Sequence, residues 1–395
     1  MRRARSVLGR IAGRSRGAVP PVDATPHPGE RDAAPSGAPT PPRPACLATV
    51  NNLYFSATGE VGPCWIQLGG VERWSPERSI RDIWTGPAFE EMRRAHAEGR
   101  FPGRCSRCRD DIDQGISPLA DVYDNDRALV GLPTALELEL SNLCNLECVM
   151  CNGDLSSKIR RHREHRPALD VPYDDSFVDQ VAELVPTLEQ VRFSGGEPTL
   201  HPIMYEICER IIELRPDLRI DISTNGSTLT PKVRRLLARA KVQVNISFES
   251  LRPERYERIR VGGDHAVLMA NIEEFRRLVE PNGGLVTINT NPMRETWDEM
   301  ADFVRFCDDR DLYLSFNTVV HPPELSLASL PGDGLDDVVR ALRAEPFDDA
   351  TTSAMRWNRD QYRNLCEQVA SWAEEACGRA TAGDGVPVRL GPART

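Results

Sequence analysis

Short apolar runs alternate with longer amphipathic stretches from about residue 133 onward. The runs are four to seven residues long and rich in Val, Ile, Leu and Phe, which is typical of buried strands. The longer stretches repeat apolar residues every three or four positions, the period of an amphipathic helix. The predicted strands are Ala135–Leu140, Gln190–Phe193, Arg219–Ser223, Val242–Phe248, Leu285–Thr290 and Leu312–Thr318. The predicted helices between them include Ile203–Leu214, Pro231–Ala240, Ala266–Val279 and Thr296–Asp309.

Strands that alternate with helices form a parallel sheet with right-handed crossovers. The predicted fold class is therefore α/β, with the alternating region spanning residues 130–345. Residues 345–378 again have a helical pattern, so 346–395 are interpreted as a C-terminal helical extension with a loose tail.

The segment before the alternating region has a different pattern. Residues 45–127 contain Cys and Trp and are predicted to form a small domain of their own. Leu47–Val61 is predicted to form short strands around the turn Thr58-Gly59-Glu60, and Ser79–Glu98 one helix. Residues 1–44 hold nine prolines from Pro20 onward and are rich in Arg, which predicts a disordered tail.

Charge narrows the range of partners. Residues 1–44 carry eight Arg and three acidic residues, a local charge of +5, so the total of −10 leaves −15 on the remaining chain. An acidic body argues against nucleic acid as the main partner. No apolar run reaches the ~18 residues that span a membrane, and no apolar core follows Arg2 and Arg3 as in a secretory signal. We therefore expect a cytoplasmic protein with no membrane partner.

Seven of the eleven cysteines fall into two groups, which in a cytosolic chain indicates metal binding rather than disulfides. One group is Cys144, Cys148 and Cys151, and the other is Cys46, Cys64, Cys105 and Cys108. The other four are predicted to be ordinary core residues, because free Cys buries readily. They are Cys208, Cys307, Cys366 and Cys377.

Polar or Cys-rich stretches follow four successive predicted strands. They are Ser141–Cys151, Ser194-Gly195-Gly196-Glu197-Pro198, Ser223-Thr224-Asn225-Gly226 and Ser247-Phe248-Glu249-Ser250. In α/β barrels the reactive groups lie at the carboxyl ends of the strands. The four stretches are therefore predicted to form one site.

Over residues 134–330 these motifs and their order resemble the radical S-adenosylmethionine (SAM) superfamily. The resemblance implies a partial (β/α)6 TIM-type barrel. The C-x3-C-x2-C spacing of Cys144, Cys148 and Cys151 is its most specific part. Three thiolates bind three irons of a [4Fe–4S] cubane and leave the remaining iron open for SAM. Zinc would want four ligands at C-x2-C spacings, so an open cluster is favoured.

The other strand-end residues are assigned SAM contacts by the resemblance alone. Gly195, Gly196 and Glu197 correspond to a motif that holds the SAM amino group. Ser247 and Glu249 match a Ser-x-Asp motif near the ribose or methionyl group, with Glu in place of Asp. Thr224 and Asn225 lie near the cofactor in the family, although Asn225-Gly226 is also compatible with a simple turn. Arg260 is a candidate partner of the SAM carboxylate, and a solvated surface residue is the alternative. Met150 stands where the family usually has an aromatic residue that packs on adenine.

Cys46, Cys64, Cys105 and Cys108 supply enough thiolates to close a second [4Fe–4S] cluster or a tetrahedral zinc site. Together with Gly62-Pro63-Cys64 and Trp84-Thr85-Gly86-Pro87, they resemble a SPASM/twitch auxiliary-cluster domain placed before the barrel. The resemblance favours an auxiliary iron–sulfur cluster.

The function that the resemblance implies is reductive cleavage of SAM at the open cluster, followed by removal of a hydrogen atom from a substrate. Oxidation, crosslinking and epimerisation of a natural-product intermediate stay open as outcomes, and the substrate is a small molecule or a peptide. An electron donor such as flavodoxin or ferredoxin is expected. The alternative is a non-catalytic iron–sulfur or zinc-binding protein. No catalytic acid or base is assigned.

Overall fold

Nine strands form one continuous sheet in the computed structural model, which describes residues 46–67, 70–106, 108–109, 123, 131–319 and 322–382. The predicted tail and the predicted loose C-terminal end lie outside these residues. The strands are β1 Asn52–Phe55, β2 Glu60–Gly62, β3 Glu72–Arg73, β4 Ala135–Leu138, β5 Gln190–Phe193, β6 Arg219–Thr224, β7 Val242–Ser247, β8 Leu285–Thr290 and β9 Tyr313–Phe316.

The sheet order is β3-β2-β1-β4-β5-β6-β7-β8-β9. All neighbouring pairs from β4 to β9 are parallel, as the α/β pattern predicts. The sequence did not predict that β1 pairs in parallel with β4, which joins the N-terminal segment to the same sheet. The N-terminal segment and the alternating region therefore share one backbone hydrogen-bond network.

Alternation along the strands separates an apolar face from a polar one. In β7, residues 242, 244 and 246 are buried, whereas 243, 245 and 247 are half-buried. The buried residues join those of neighbouring strands in the main hydrophobic core, against which the helices pack. The opposite face carries charged and amide side chains and forms the inner surface of the partial barrel, which we call the lumen face.

The helices largely follow the predicted pattern, but the single helix predicted over Ser79–Glu98 is wrong. Two helices, α2 and α3, replace it, because the ring of Pro87 and its missing N–H cannot continue a helix. The described helices are α1 Ala48–Asn51, α2 Ile80–Trp84, α3 Pro87–Ala97, α4 Ser157–His162, α5 Asp175–Leu184, α6 Pro202–Leu214, α7 Pro231–Leu237, α8 Pro253–Ile259, α9 His265–Val279, α10 Met300–Asp308, α11 Gly332–Ala344 and α12 Ser353–Ala382.

The prediction of ordinary core cysteines is confirmed for Cys208, Cys307 and Cys366, which are buried, and is wrong for Cys377, which is exposed. All eleven cysteines lie in the described part of the chain, and none of them forms a disulfide there.

The C-terminal helix α12 covers the last strand of the sheet. Asn358 on α12 is fully buried; its Oδ1 accepts a hydrogen bond from the Leu314 backbone N–H at 2.8 Å. Its Nδ2 donates to the Leu312 carbonyl and to Asp308 Oδ1, each at 3.0 Å. The side chain thereby satisfies backbone groups at the sheet edge, which an unpaired edge strand would expose.

We expect Asn358→Ala to lower the free energy of unfolding by about 1–3 kcal/mol, because buried polar groups at the sheet edge each lose a hydrogen-bond partner. The measurement is denaturant unfolding followed by circular dichroism. Arg363→Ala, an exposed position on the same helix, is the matched control and should change stability by less than about 0.5 kcal/mol. Equal effects of the two substitutions would contradict the account.

Candidate functional site

The four predicted strand-end stretches meet at the carboxyl edge of the parallel sheet. Strands β4, β5, β6 and β7 are hydrogen-bonded in that order, so the loops that follow them lie side by side. The loop after β4 carries Cys144, Cys148 and Cys151 and is called the cluster loop, residues 141–157. The other three loops are described by their contacts with it.

The loop after β5 lies directly on the cluster loop. Gly196 N–H donates to the Ser141 carbonyl at 3.2 Å, and Glu197 N–H donates to the Leu143 carbonyl at 2.7 Å. A Cβ at Gly196 would lie 2.4 Å from the Leu143 carbonyl oxygen. Only glycine therefore permits this approach, and Gly195 also adopts a φ of +99° that favours glycine.

Glu197 is almost fully buried, and its carboxylate accepts four hydrogen bonds. Oε1 accepts from Thr199 N–H at 3.2 Å, from Thr199 Oγ1 at 2.7 Å and from Thr224 Oγ1 at 2.8 Å. Oε2 accepts from Asn225 N–H at 2.8 Å. Burial raises the pKa of this carboxyl, while the four donors act in the opposite direction. The carboxylate links β5 to the end of β6, and its contact with the SAM amino group stays a prediction.

Asn225 connects the loop after β6 to the cluster loop. Its Nδ2 donates to Asn145 Oδ1 at 2.9 Å, and Asn145 Nδ2 donates to Ser227 Oγ at 2.8 Å. Asn142 Nδ2 donates to the Gly153 carbonyl at 2.8 Å. This hydrogen bond joins the first part of the cluster loop to the part that follows Cys151. Sequence analysis missed Asn142 and Asn145, although amide side chains inside a Cys-rich loop are a signal for such bracing.

The three cluster-loop thiols interact electrostatically. Cys148 is buried, whereas Cys144 and Cys151 are half-buried. Burial, with smaller contributions from Cys148 and Cys144, raises the pKa of Cys151 to about 12. Burial also raises the pKa of Cys144, with Cys148 adding to the effect. Three neighbouring thiols on one braced loop fit a cubane cluster with one open iron. In the described residues no three Cys, His, Asp or Glu side chains form a group that could hold a single metal ion.

Glu249 and Arg260 contact each other beside Cys148. Arg260 Nε donates to Glu249 Oε2 at 2.5 Å, and a second hydrogen bond joins Arg260 Nη2 to Glu249 Oε1. Asn291 Nδ2 also donates to Glu249 Oε1, at 2.8 Å. Arg260 is thus a buried ion-pair residue rather than a solvated one. The predicted SAM contacts of Ser247, Glu249 and Arg260 stay predictions.

Met150 is half-buried and packs against a small cluster of Ile259, Met293 and Val319. The predicted adenine contact of its thioether likewise stays a prediction.

The second group of cysteines lies around β2 and the segment near residue 105. Burial raises the pKa of Cys64 to about 12, with a smaller contribution from Cys46. Burial likewise raises the pKa of Cys105 to about 12, with contributions from Cys64 and Cys108. These pairwise effects connect the four thiols to one another, and their role as ligands of one metal site stays a prediction. Protons held at such raised pKa values leave when a metal binds.

Tyr123 connects this second group to the lumen face, and Tyr54 connects the adjoining strand β1 to it. Tyr123, which packs with Cys64, donates its hydroxyl to the Glu137 carboxylate at 3.0 and 3.1 Å. Glu137 on β4 also accepts from Arg192 Nη1 at 2.6 Å. Tyr54 on β1 donates to Glu139 Oε2 at 2.7 Å. Cys64 is therefore connected through Tyr123 to a carboxylate of the barrel, which the sequence did not predict.

Comparison with known proteins agrees with this geometry. The profile of the radical SAM superfamily matches residues 138–307, and that of the SPASM iron–sulfur cluster-binding domain matches residues 46–109. The chain therefore contains a radical SAM domain over residues 138–307, as the resemblance of its motifs implied. More particularly, it carries an iron–sulfur cluster-binding SPASM domain on the N-terminal side of the barrel. A [4Fe–4S] cluster with SAM and an auxiliary iron–sulfur cluster are the cofactors of these domains.

Curated relatives are similar over about half of this chain. GTP 3',8-cyclase of Pseudomonas putida is 30% identical over 222 residues, 54% of this chain and 61% of the relative. GTP 3',8-cyclase of Streptomyces coelicolor is 27% identical over 208 residues, 51% of this chain and 56% of the relative. The chain thus spans less than two thirds of the length of these relatives.

Solved structures that match part of the chain include Streptococcus suis SuiB bound to S-adenosylmethionine, at 14% identity and a TM-score of 0.42, covering 66% of this chain and 59% of that one. Native anSMEcpe with bound AdoMet is 18% identical with a TM-score of 0.39, covering 52% of this chain and 58% of that one.

No helix in the described ranges combines the length and the apolar character needed to cross a membrane.

We expect the two cysteine groups to hold iron independently. Replacing Cys144, Cys148 and Cys151 with Ala should remove about four irons from the anaerobically reconstituted protein and leave the other cluster in place. Replacing Cys64 and Cys105 with Ala should remove the other cluster instead. The measurements are iron and sulfide content. An unchanged iron content in either variant would show that the ligands of that cluster are assigned incorrectly. Zinc bound by the second cysteine group would show that this group forms a structural zinc site and not an auxiliary cluster.

Proposed function

We propose that this chain is a radical SAM enzyme that reductively cleaves SAM and abstracts a hydrogen atom from a polar substrate held in the barrel. The observation that carries the proposal is the contact of the cluster loop with the loops after β5 and β6, through Gly196, Glu197 and Asn225. These contacts support the proposal because the loop that carries the three thiols lies against the motif predicted to hold the SAM amino group. When bound, the cluster and SAM supply the electron and the hydrogen-abstracting group.

The lumen face supports a substrate with hydrogen-bonding groups and no large negative charge. In the row formed by β4, β5 and β6, Glu137 pairs with Arg192, and Asp221 pairs with Arg219 at 3.0 Å. Glu139 adds a further carboxylate at the end of β4, next to Gly195. Half-buried amides of Gln243, Asn245 and Asn289 continue this face on β7 and β8. Such a surface suits hydroxyl, amine or amide groups of a metabolite or a peptide segment.

The auxiliary cluster would determine the outcome of the reaction. Its contact with the lumen face through Tyr123 and Glu137 gives it a short route to a substrate in the barrel. An electron accepted there gives net oxidation, such as dehydrogenation or a crosslink. Return of a hydrogen atom to the substrate would instead give epimerisation. The contact of the auxiliary cysteine group with the lumen face, through Tyr123 and Glu137, favours oxidation.

The reconstituted protein with two clusters should form 5′-deoxyadenosine from SAM when dithionite supplies electrons. Chromatography of the quenched mixture measures this product, and Cys148→Ala, which removes a cluster ligand, is the matched inactive control. Intact clusters that yield no 5′-deoxyadenosine with any candidate substrate would favour the non-catalytic alternative.

GTP is a second candidate substrate because curated relatives bear the name GTP 3',8-cyclase. The paired charges on the lumen face disfavour a triphosphate, since its arginines are already bound by carboxylates. GTP should therefore not increase 5′-deoxyadenosine formation above the level without substrate. A clear increase would make nucleotide cyclisation the preferred function.

The electron donor is proposed to bind a basic surface beside the cluster loop, formed by Lys158, Arg161, His162, Arg163 and His165. All five side chains are exposed, and they stand out because the chain outside the tail is acidic. Arg163 Nη1 donates to the Cys148 carbonyl at 3.3 Å, so the surface adjoins a cluster ligand. Val261, whose apolar side chain is exposed, adjoins the cluster loop as well. Its carbonyl accepts a hydrogen bond from the Glu147 N–H at 2.9 Å. An acidic one-electron carrier such as flavodoxin complements this charge.

The double variant Lys158→Glu/Arg161→Glu should lower flavodoxin-driven formation of 5′-deoxyadenosine severalfold, because charge attraction controls the rate of encounter. The rate with dithionite, which needs no docking, should stay near the wild-type value. Arg340→Glu, an exposed position on α11, is the matched control. The surface assignment fails if the double variant and the control respond equally to flavodoxin, or if added salt leaves the wild-type rate unchanged.

A further inference from the structure

The last residue of helix α8, Ile259, and the two residues after it run along the cluster loop. Val149 N–H donates to the Ile259 carbonyl at 2.9 Å, and Glu147 N–H donates to the Val261 carbonyl at 2.9 Å. These two bonds enclose Cys148 on one side and Arg260 on the other. The backbone therefore fixes the separation of the Arg260 and Cys148 side chains.

Arg260 contacts Cys148 directly. Its Nη1 lies 3.5 Å from Cys148 Sγ, within hydrogen-bond distance of a sulfur acceptor. Its Nε and Nη2 both donate to Glu249, so the guanidinium cannot rotate away from Cys148 without losing hydrogen bonds of the ion pair. The Arg260 side chain is only 12% exposed and that of Glu249 is 0% exposed.

A buried ion pair is costly to desolvate and is retained where its polar groups are fully satisfied. Glu249 is satisfied by Arg260 and by Asn291 Nδ2. Arg260 Nη1 is directed at the Cys148 sulfur. The arrangement therefore suits a negatively charged Cys148 sulfur.

We infer that Arg260, held by Glu249, is a positioning residue that raises the reduction potential of the cluster through its hydrogen bond to Cys148. Hydrogen bonds to cluster sulfurs and local net charge both set the potential of an iron–sulfur centre. A donor on the thiolate stabilises the more negative, reduced cluster. This inference rests on the proposed function in one respect, namely that Cys144, Cys148 and Cys151 hold the cluster.

The two members of the ion pair should shift the potential in opposite directions. Arg260→Gln removes the guanidinium from the Cys148 sulfur and leaves Glu249 charged, so the potential should fall. Glu249→Gln keeps the donor and removes a buried negative charge, so the potential should rise. A merely structural role would not produce shifts of opposite sign.

The test is a redox titration of the reconstituted full chain without SAM, followed by electron paramagnetic resonance. The cluster on Cys144, Cys148 and Cys151 is distinguished from the auxiliary cluster by its absence in Cys148→Ala. Arg258→Gln is the matched control, because Arg258 lies two positions away and pairs with Glu295 on the surface. This control should titrate like the wild-type protein.

The SAM dissociation constant of each variant separates the inference from the predicted SAM-carboxylate contact. Unchanged potentials with weaker SAM binding in Arg260→Gln would overturn the inference and support the direct contact. If Arg260→Gln assembles too little cluster to titrate, Glu249→Gln decides: an unchanged or lower potential there overturns the inference. Wild-type protein that binds no iron at Cys144, Cys148 and Cys151 would instead refute the proposed function.

Discussion

The parallel hydrogen bonding of β4 to β7 is the constraint on which the site depends. Because these strands run in the same direction, the loops that follow them leave the sheet at one edge. The cluster loop could not contact both the glycine pair after β5 and Asn225 after β6 if any of these strands were reversed. The apolar core, on the face of the sheet opposite the lumen face, holds the strands in this register. A shift of one residue would move the buried row of β7 to the lumen face.

Buried carboxylates connect this edge to the rest of the molecule. Glu197 binds the β5 and β6 loops together, Glu249 orients Arg260, and Glu137 joins Tyr123 to Arg192. Each would be costly to bury alone, and each is satisfied by donors from different strands or segments. The carboxylates therefore fix the relative positions of the cluster loop, the lumen face and the N-terminal domain.

Local sequence patterns were enough to predict the six barrel strands and the two cysteine groups. Gln190–Phe193 and Leu285–Thr290 have the predicted bounds, because alternating or continuous apolar residues report burial directly. The pairing of β1 with β4 was not predictable, since four-residue and two-residue strands carry little pattern and their partners are distant in sequence. The same holds for Arg260 and Cys148, which are 112 positions apart. The break at Pro87 was visible in the sequence, and the continuous helix was predicted in spite of it.

The central claim is that Cys144, Cys148 and Cys151 hold a cluster with an iron left open for SAM. Mössbauer spectroscopy of the chain reconstituted with ⁵⁷Fe, recorded before and after addition of SAM, tests this most directly. The account predicts that a single iron site of this cluster changes its spectrum when SAM binds, and that the irons of the auxiliary cluster do not. Identical spectra with and without saturating SAM, in protein that contains both clusters, would contradict it.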